Sequence, residues 1–239
     1  MKAQGGKAIY GASVGILMLE ARFPRIPGDM GNALTWPFPV LYKVVRAASP
    51  ERVVRRRAEG LLPAFLDAAR DLVADGADGI TTNCGFLSLY QDDLAQAVGV
   101  PVAASSLMQV RLVDAILPPG KRAGILTISG SSLTADHLVR AGVPADTPVG
   151  STEEGREFTR TILDDAPEMD VAAARADNVE AARALATAHP EIGALVLECT
   201  NMIPYAADIR AATDLPVFTM ASFVAWFQSG LRPPAYPDA

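Results

Sequence analysis

Gly79-Ile80-Thr81-Thr82-Asn83-Cys84-Gly85-Phe86 decides the reading of this chain. An apolar run stops at a cysteine, and a helix-like pattern takes over from Leu87 to Val98, closed by Gly99. The spacing therefore predicts a buried strand with a thiol at its carboxyl end. A second stretch has the same construction: Gly193-Ala194-Leu195-Val196-Leu197-Glu198-Cys199-Thr200-Asn201. These two segments hold both cysteines of the chain.

Around the first segment, Val14–Leu19 reads as an opening core strand, and Leu61–Asp75 as a helix with Pro63 in its first turn and Gly76 as its stop. Residues 100–104 read as a short strand and 107–117 as a helix. Between strand and helix, residues 22–39 carry Pro24, Pro27, Gly28, Gly31, Pro37 and Pro39, which is loop chemistry. A loop of that length in a compact domain is expected to be a lid or a packed arm. The order then restarts. Residues 122–128 read as a strand, Ser129-Gly130-Ser131-Ser132 as the opening of a helix to Ala141, and the stretch to Glu168 as a polar, irregular connection. A helix over 170–188, the strand 193–198, a helix over 202–212, a strand over 215–219 and a last helix carrying Phe223, Val224, Trp226 and Phe227 complete the pattern.

The two cysteines lie 115 residues apart, and the same shift superposes Tyr90 on Tyr205, Asp93 on Asp208, Ala97 on Ala212, Pro101 on Pro216 and Val102 on Val217. A duplication of one strand–Cys–helix–Pro-strand unit accounts for this. Alternating strands and helices imply parallel sheets. The expected fold is α/β, with two pseudo-symmetric lobes, each a mainly parallel sheet flanked by helices. We expect an N-terminal lobe over 1–118, a C-terminal lobe over 119–220, and a terminal segment, 221–239, packing back onto the first. Ligands bind beyond the carboxyl ends of parallel strands. Two such ends facing one cleft would put Cys84 on one wall and Cys199 on the other.

Two thiols on opposite faces of one carbon suit stereoinversion: one thiolate removes the Cα proton, and the other thiol delivers one from the far side. The expectation is that the positive end of the following helix lowers each thiol's pKa. Thr82, Asn83, Gly85, Thr127, Ser129, Thr200 and Asn201 are the expected substrate-binding set, as neutral donors for a carboxylate or an enolate oxygen. Arg22 or Arg25 could pair with an acidic substrate. Glu198 could tune its neighbouring thiol, bind an amine, or be a paired buried acid.

Other classes fit less well. A net charge of −6 leaves no basic stripe for phosphates, so nucleic acid is not an expected partner. No apolar run approaches the roughly 20 residues of a membrane span, and the first seven residues lack a signal-peptide core, so a cytoplasmic protein is expected. Two cysteines and two histidines without CxxC or HxxxH do not suggest a metal. Neither His137 nor His189 neighbours a cysteine, which disfavours a Cys–His hydrolase. No dinucleotide or P-loop fingerprint is present.

These residues resemble the aspartate/glutamate racemase superfamily, which includes glutamate, aspartate and hydantoin racemases, maleate isomerase and arylmalonate decarboxylase. Glu198-Cys199-Thr200 resembles the family's Gly-Cys-Thr, and Thr127 with Ser129-Gly130-Ser131 looks like the start of its second lobe. Two departures stand out. Thr82-Asn83-Cys84-Gly85 puts Asn ahead of Cys where glutamate racemases read Cys-Asn-Thr, and Leu19-Glu20-Ala21-Arg22 replaces an Asp-Ser pair after the first strand. The resemblance implies no cofactor, a homo-oligomer, and a small carboxylate or hydantoin-like substrate. The expected activity is racemisation or epimerisation by Cys84 and Cys199. Cis–trans isomerisation or decarboxylation on the same scaffold, a non-catalytic small-molecule binder and a redox-switched cysteine pair remain open. Two cysteines favour racemase or isomerase over arylmalonate decarboxylase, which resembles this scaffold with only the second-lobe thiol.

Overall fold

Val14–Leu19 (β1) is buried along its whole length, as a strand covered on both faces must be. It is central in the first of two four-stranded parallel sheets in the computed structural model, which describes residues 5–235. Met1–Gln4 and the last four residues of the 221–239 segment lie outside the described residues. The other strands are Val40–Val45 (β2), Gly79–Thr82 (β3), Val102–Ala103 (β4), Arg122–Thr127 (β5), Val149–Ser151 (β6), Ile192–Leu197 (β7) and Val217–Phe218 (β8). The sheets run β2-β1-β3-β4 and β6-β5-β7-β8, one order repeated. The two lobes are thus topologically equivalent, with Cys84 two residues beyond β3 and Cys199 two residues beyond β7.

The helices are Pro50–Val54 (α1), Leu62–Asp75 (α2), Gln91–Val98 (α3), Val110–Ile116 (α4), Ala135–Arg140 (α5), Phe158–Leu163 (α6), Val171–Ala188 (α7), Ala206–Thr213 (α8) and Met220–Leu231 (α9). α2 buries Phe65, Ala68, Ala69 and Leu72 against the first sheet, and Gly76 at φ 136° ends it. Asp170 caps α7 by accepting from the Ala172 and Ala173 amides. α9 packs Phe223 and Val224 with Val14 and Ile16 of β1, and Phe227 and Leu231 close against Gly79. No helix of the described residues is long and apolar enough to cross a membrane.

Three elements differ from the sequence expectation. β2 and β6 are edge strands at equivalent places in the two lobes, each made by pairing with a central strand. β2 is mostly half-buried and carries Lys43, while β6 is three residues inside a polar stretch. β6 has no apolar run to announce it, whereas β2, Val40-Leu41-Tyr42-Lys43-Val44-Val45, has one that is broken only by Lys43 and directly follows Pro37 and Pro39 of the loop. The helix expected from Ser129 forms only over Ala135–Arg140, because the Ser129 and Ser131 hydroxyls instead donate to Glu153 Oε1 at 2.7 and 2.5 Å. After each cysteine the chain first makes a 3₁₀ turn, Gly85–Tyr90 and Thr200–Tyr205, and only then an α-helix. Leu87 N–H donates to Cys84 O and Met202 N–H to Cys199 O, both at 3.1 Å. The thiols therefore stand before a tight turn and not at the end of a long aligned helix.

The lobes meet at these strand ends. The Thr200 hydroxyl donates to Asn83 O at 2.5 Å, and the Ser106 hydroxyl donates to Leu197 O at 2.7 Å. The same places are occupied by matched aromatic pairs: Tyr90 is edge-on to Phe65 at 5.7 Å, and Tyr205 is edge-on to Phe158 at 5.9 Å. One buried apolar cluster runs from Leu17 and Phe65 through both cysteines to Leu197 and Tyr205, so the two lobes share a core.

Candidate active site

The segment between β1 and β2 crosses the seam between the lobes as a strap. Arg22 and Phe23 N–H donate to Asp165 Oδ1 of the second lobe at 2.5 and 3.1 Å. Gly28 lies so close to Pro204 that a Cβ there would approach its backbone to 3.2 Å, and its φ of 97° suits glycine. Asp29, 2 % exposed, sits at the centre. It accepts from Arg25 Nη1 at 2.9 Å, from Gly31 N–H at 2.7 Å and from Asn201 Nδ2 at 2.6 Å. The segment over 22–39, expected as a packed arm or lid, is a strap hydrogen-bonded to the second lobe at Asp165 and at Asn201.

Beneath the strap is a cavity between the two cysteine-bearing turns. Asn83, Cys84, Gly85 and Phe86 form one wall, and Glu198, Cys199, Thr200 and Asn201 the other. Phe23, Pro50 and Val54 on one side, with Ile128, Ile162 and Leu163 on the other, make the remainder apolar. The cavity is nearly closed, with a volume of ≈ 20 Å³, enough for about one water. Any organic substrate requires the α1–α6 side or the strap to open.

Six of the sequence-selected residues line this cavity besides Glu198: Cys84, Cys199, Asn83, Gly85, Thr200 and Asn201. Three do not. The Thr82 hydroxyl donates to Ala104 O at 2.7 Å and accepts from Cys84 N–H at 3.3 Å, so it shapes the turn. The Thr127 hydroxyl donates to Glu198 Oε2 at 2.7 Å. Ser129 faces Glu153. Arg22 and Arg25 line a separate open groove beside the strap, where Arg22 pairs with Asp165 and Arg25 with Asp29. Asn83 is fixed by its Oδ1, which accepts from Leu19 N–H at 2.8 Å, and its amide nitrogen has no partner among the described residues. Asp29 was not legible as a site residue: it sits in a Pro/Gly loop with no periodicity, and only the crossing of the seam brings it to Asn201.

Electrostatically the cavity is acidic, with the Glu198 carboxyl in its wall. Burial pushes both thiols well above the usual cysteine range, and the nearby Glu198 carboxylate pushes them further. This reverses the expectation of helix-lowered thiols: short-turn amides, with Arg25 at Cys84, favour ionisation, and desolvation outweighs them. The two thiols are not equivalent. Cys84 is favoured by the Phe86 and Leu87 N–H groups and by the Arg25 charge, while Cys199 is favoured by the Asn201 N–H and opposed by Asp29; repulsion between two thiolates would act on both. The Cys199 thiol donates to Asn201 Oδ1 at 3.5 Å, an acceptor oriented by Asp29. That hydrogen bond favours the protonated form of Cys199.

Glu198 is fully buried, and burial raises its pKa to about 7 against the Thr127 hydroxyl and Ile128 N–H, which lower it. Between pH 4.5 and 7 the folded protein keeps a proton that the unfolded chain has lost. Stability therefore falls as pH rises through that window, by about 3 kcal/mol in all. Buried His137 has the opposite sign: desolvation lowers it to about 4, so its contribution grows as pH rises from 4 to 6.5. In the wild type the two slopes oppose each other. Glu198→Gln removes the first, so urea unfolding should show the variant gaining on the wild type steadily from pH 5 to pH 7.5. A constant difference across that range would refute the shifted carboxyl.

No group of three or more His, Cys, Asp or Glu side chains among the described residues is arranged to hold a metal ion. Both cysteines are free thiols.

No protein-family model matches the chain. Among curated proteins it is 29 % identical over 217 residues to a dimethylsulfoniopropionate lyase of Durusdinium sp. clade D, covering 87 % of this chain and 71 % of that protein. It is 30 % identical over 220 residues to dimethylsulfoniopropionate lyase 3 of Emiliania huxleyi (strain CCMP1516), covering 86 % of this chain and 56 % of that protein. It spans 44 % of dimethylsulfoniopropionate lyase 5 of the same strain at 29 % identity, with 89 % of this chain covered. The chain thus spans about half to two thirds of the length of most such relatives. Among solved structures, a sulfate-associated mutant of arylmalonate decarboxylase superposes with a TM-score of 0.61 at 17 % identity, over 94 % of this chain and 96 % of that one. An aspartate racemase homologue from Pyrococcus horikoshii OT3 gives 0.54 at 17 % identity, over 92 % and 98 %. Glutamate racemase from Francisella tularensis gives 0.53 at 14 % identity, over 95 % and 86 %.

Proposed function

We propose that this chain, which has the two-lobed fold of the aspartate/glutamate racemase superfamily, is a carbon–sulfur lyase. Its substrate would be a 3-sulfoniopropionate of the dimethylsulfoniopropionate kind. The observation that carries the reading is the pair of inequivalent thiols in a closed acidic cavity, on a chain similar over most of its length to lyases of that name. A racemase needs two interchangeable acid–base groups of matched pKa. An elimination needs one base, a dry pocket and donors for a carboxylate.

The chemistry balances without an added reactant. The Cys84 thiolate takes a proton from the carbon next to the substrate carboxylate. The electron pair left behind forms the carbon–carbon double bond. The bond from the next carbon to sulfur breaks, and sulfur leaves with its electrons as neutral dimethyl sulfide, while acrylate remains. The Cys84 thiol then returns its proton to solvent. During proton removal charge builds on the carboxylate oxygens, where the free Asn83 amide and the Cys199 thiol are the available donors. The substrate's positive charge also lowers the energy of the thiolate, which the empty site raises.

The test is direct. Purified protein mixed with dimethylsulfoniopropionate in D₂O should release dimethyl sulfide into the headspace and acrylate, seen by proton NMR, in equal amounts. Symmetric placement of the cysteines favours racemisation as the second reading. It expects Cα–H exchange with inversion in single enantiomers of amino acids, hydantoins or hydroxy acids. Such exchange, with no dimethyl sulfide from the sulfonium compound, would overturn the lyase assignment.

A further inference from the structure

Glu198 is the one buried side chain of the cavity whose charge has no counterpart. It is 0 % exposed. Oε2 is held by the Thr127 hydroxyl, and that hydroxyl in turn accepts from Ser129 N–H at 3.3 Å. Oε1 is buried without a hydrogen-bond partner. It lies against Gly85, where any Cβ would collide with it and would come within 2.5 Å of the Glu198 carbonyl oxygen. Gly85 has no positive φ to explain it, so this close approach is what excludes a side chain at position 85. Both residues line the cavity, next to Phe86. The nearby guanidinium of Arg25 is already paired with Asp29 and stands in the neighbouring groove.

Buried polar atoms are nearly always satisfied, and an unpaired buried carboxylate is costly. An orphan oxygen in a site wall is then best explained by a partner that arrives with the ligand. A neutral donor could fill that place, but a trialkylsulfonium has no N–H or O–H to offer. It is recognised only by negative charge, by aromatic faces and by apolar contact with its methyl groups. The wall formed by Glu198, Gly85 and Phe86 offers all three, and Phe86 is itself held edge-on by His137 at 5.0 Å.

We propose that Glu198 is the counter-ion for the positive end of the substrate, with Gly85 letting the carboxyl pack into the cavity wall and Phe86 supplying the aromatic contact. This deepens the lyase reading and rests on it for the identity of the cation. Glu198 then selects zwitterions over simple carboxylates. The site is acidic because its ligand carries the missing positive charge.

The test compares isosteres. In 4-methylpentanoate a CH replaces the sulfonium sulfur of dimethylsulfoniopropionate, so shape is kept and charge removed. In 3-(trimethylammonio)propionate the charge is kept on a poor leaving group. Binding of both is measured by calorimetry on wild type, Glu198→Gln and Glu198→Asp, with melting curves confirming that each variant folds. Wild type should prefer the cation by about tenfold or more, as expected for a desolvated charge pair. Glu198→Gln should bring the two ligands within about twofold of each other, and Glu198→Asp should retain most of the preference. Glu198→Gln should also raise KM for dimethylsulfoniopropionate more than it lowers kcat. No cation preference in the wild type, or a preference that survives Glu198→Gln, overturns the proposal. So does its equal loss in Glu198→Asp, which would make the role one of shape. Dimethyl sulfide release without cation preference refutes the subsite and leaves the lyase standing. Cation preference lost in Glu198→Gln, in a protein that releases no dimethyl sulfide, supports the subsite and refutes the lyase.

Discussion

Cys84→Ser lowers the turnover of dimethylsulfoniopropionate by about 10³-fold, and Cys199→Ser lowers it by no more than about tenfold. A general base contributes roughly 10²–10⁴ in rate. A serine hydroxyl ionises far less readily than a thiol, so it cannot replace a base. The asymmetry follows from the surroundings. Burial and Glu198 oppose ionisation of both thiols, but Cys84 has two turn amides and the Arg25 charge in its favour, whereas Cys199 has one turn amide, is also opposed by Asp29 and holds its proton toward Asn201 Oδ1. A hydroxyl can still donate from position 199. Steady-state kinetics on both variants decides the matter. Equal and near-complete loss in both would indicate the matched two-base chemistry of a racemase, and a larger loss in Cys199→Ser would reverse the assigned roles.

Asp29→Ala is expected to cost about 3 kcal/mol of stability in urea unfolding, a large part of a domain's total. The Arg25 side chain is only 15 % exposed, and one of its guanidinium nitrogens is already buried without a partner. Removing Asp29 leaves the charge uncompensated, and also leaves Gly31 N–H and Asn201 Nδ2 without their acceptor. Breaking a buried pair from one side is far costlier than losing an exposed bridge such as Arg46–Glu20. Activity should fall as well, because Asn201 is then free to turn away from Cys199. A loss below about 1 kcal/mol would mean that the strap contributes little to holding the lobes together.

The central strands, the helices α2, α7 and α9, and the duplication were legible because each is repeated or periodic over many residues. Val14–Leu19 could be read as a fully buried strand from its apolar run alone. The cysteine pair gave the register of the repeat, and the tyrosines 90 and 205 that coincide in it each stack edge-on against a phenylalanine of their own lobe in the structure. The edge strand β6 escaped because a half-exposed strand is defined by its neighbour's hydrogen bonds, which the local sequence does not encode, whereas β2 is a largely apolar run, Val40–Val45, hidden only by following directly on the proline-rich loop. Ser129 and Thr127 were chosen for the right chemistry. Their hydroxyls, however, are taken up by Glu153 and Glu198.

The sequence by itself determined that two thiols end equivalent strands of two α/β units, since strand ends and repeats are properties of consecutive residues. Only the tertiary structure decided what those thiols are. The stretch through Cys84 closes on the stretch through Cys199 in a buried cavity, where desolvation raises both thiols and the Glu198 carboxyl in the wall has one oxygen left unpaired. A pKa is set by every charge and water excluded within a few ångströms, and those neighbours include residues 25 and 29, distant in the chain from both cysteines, and Glu198, distant from Cys84. The same holds for the strap: its prolines and glycines announce a loop, but its role follows from Asp29 reaching across the seam to Asn201.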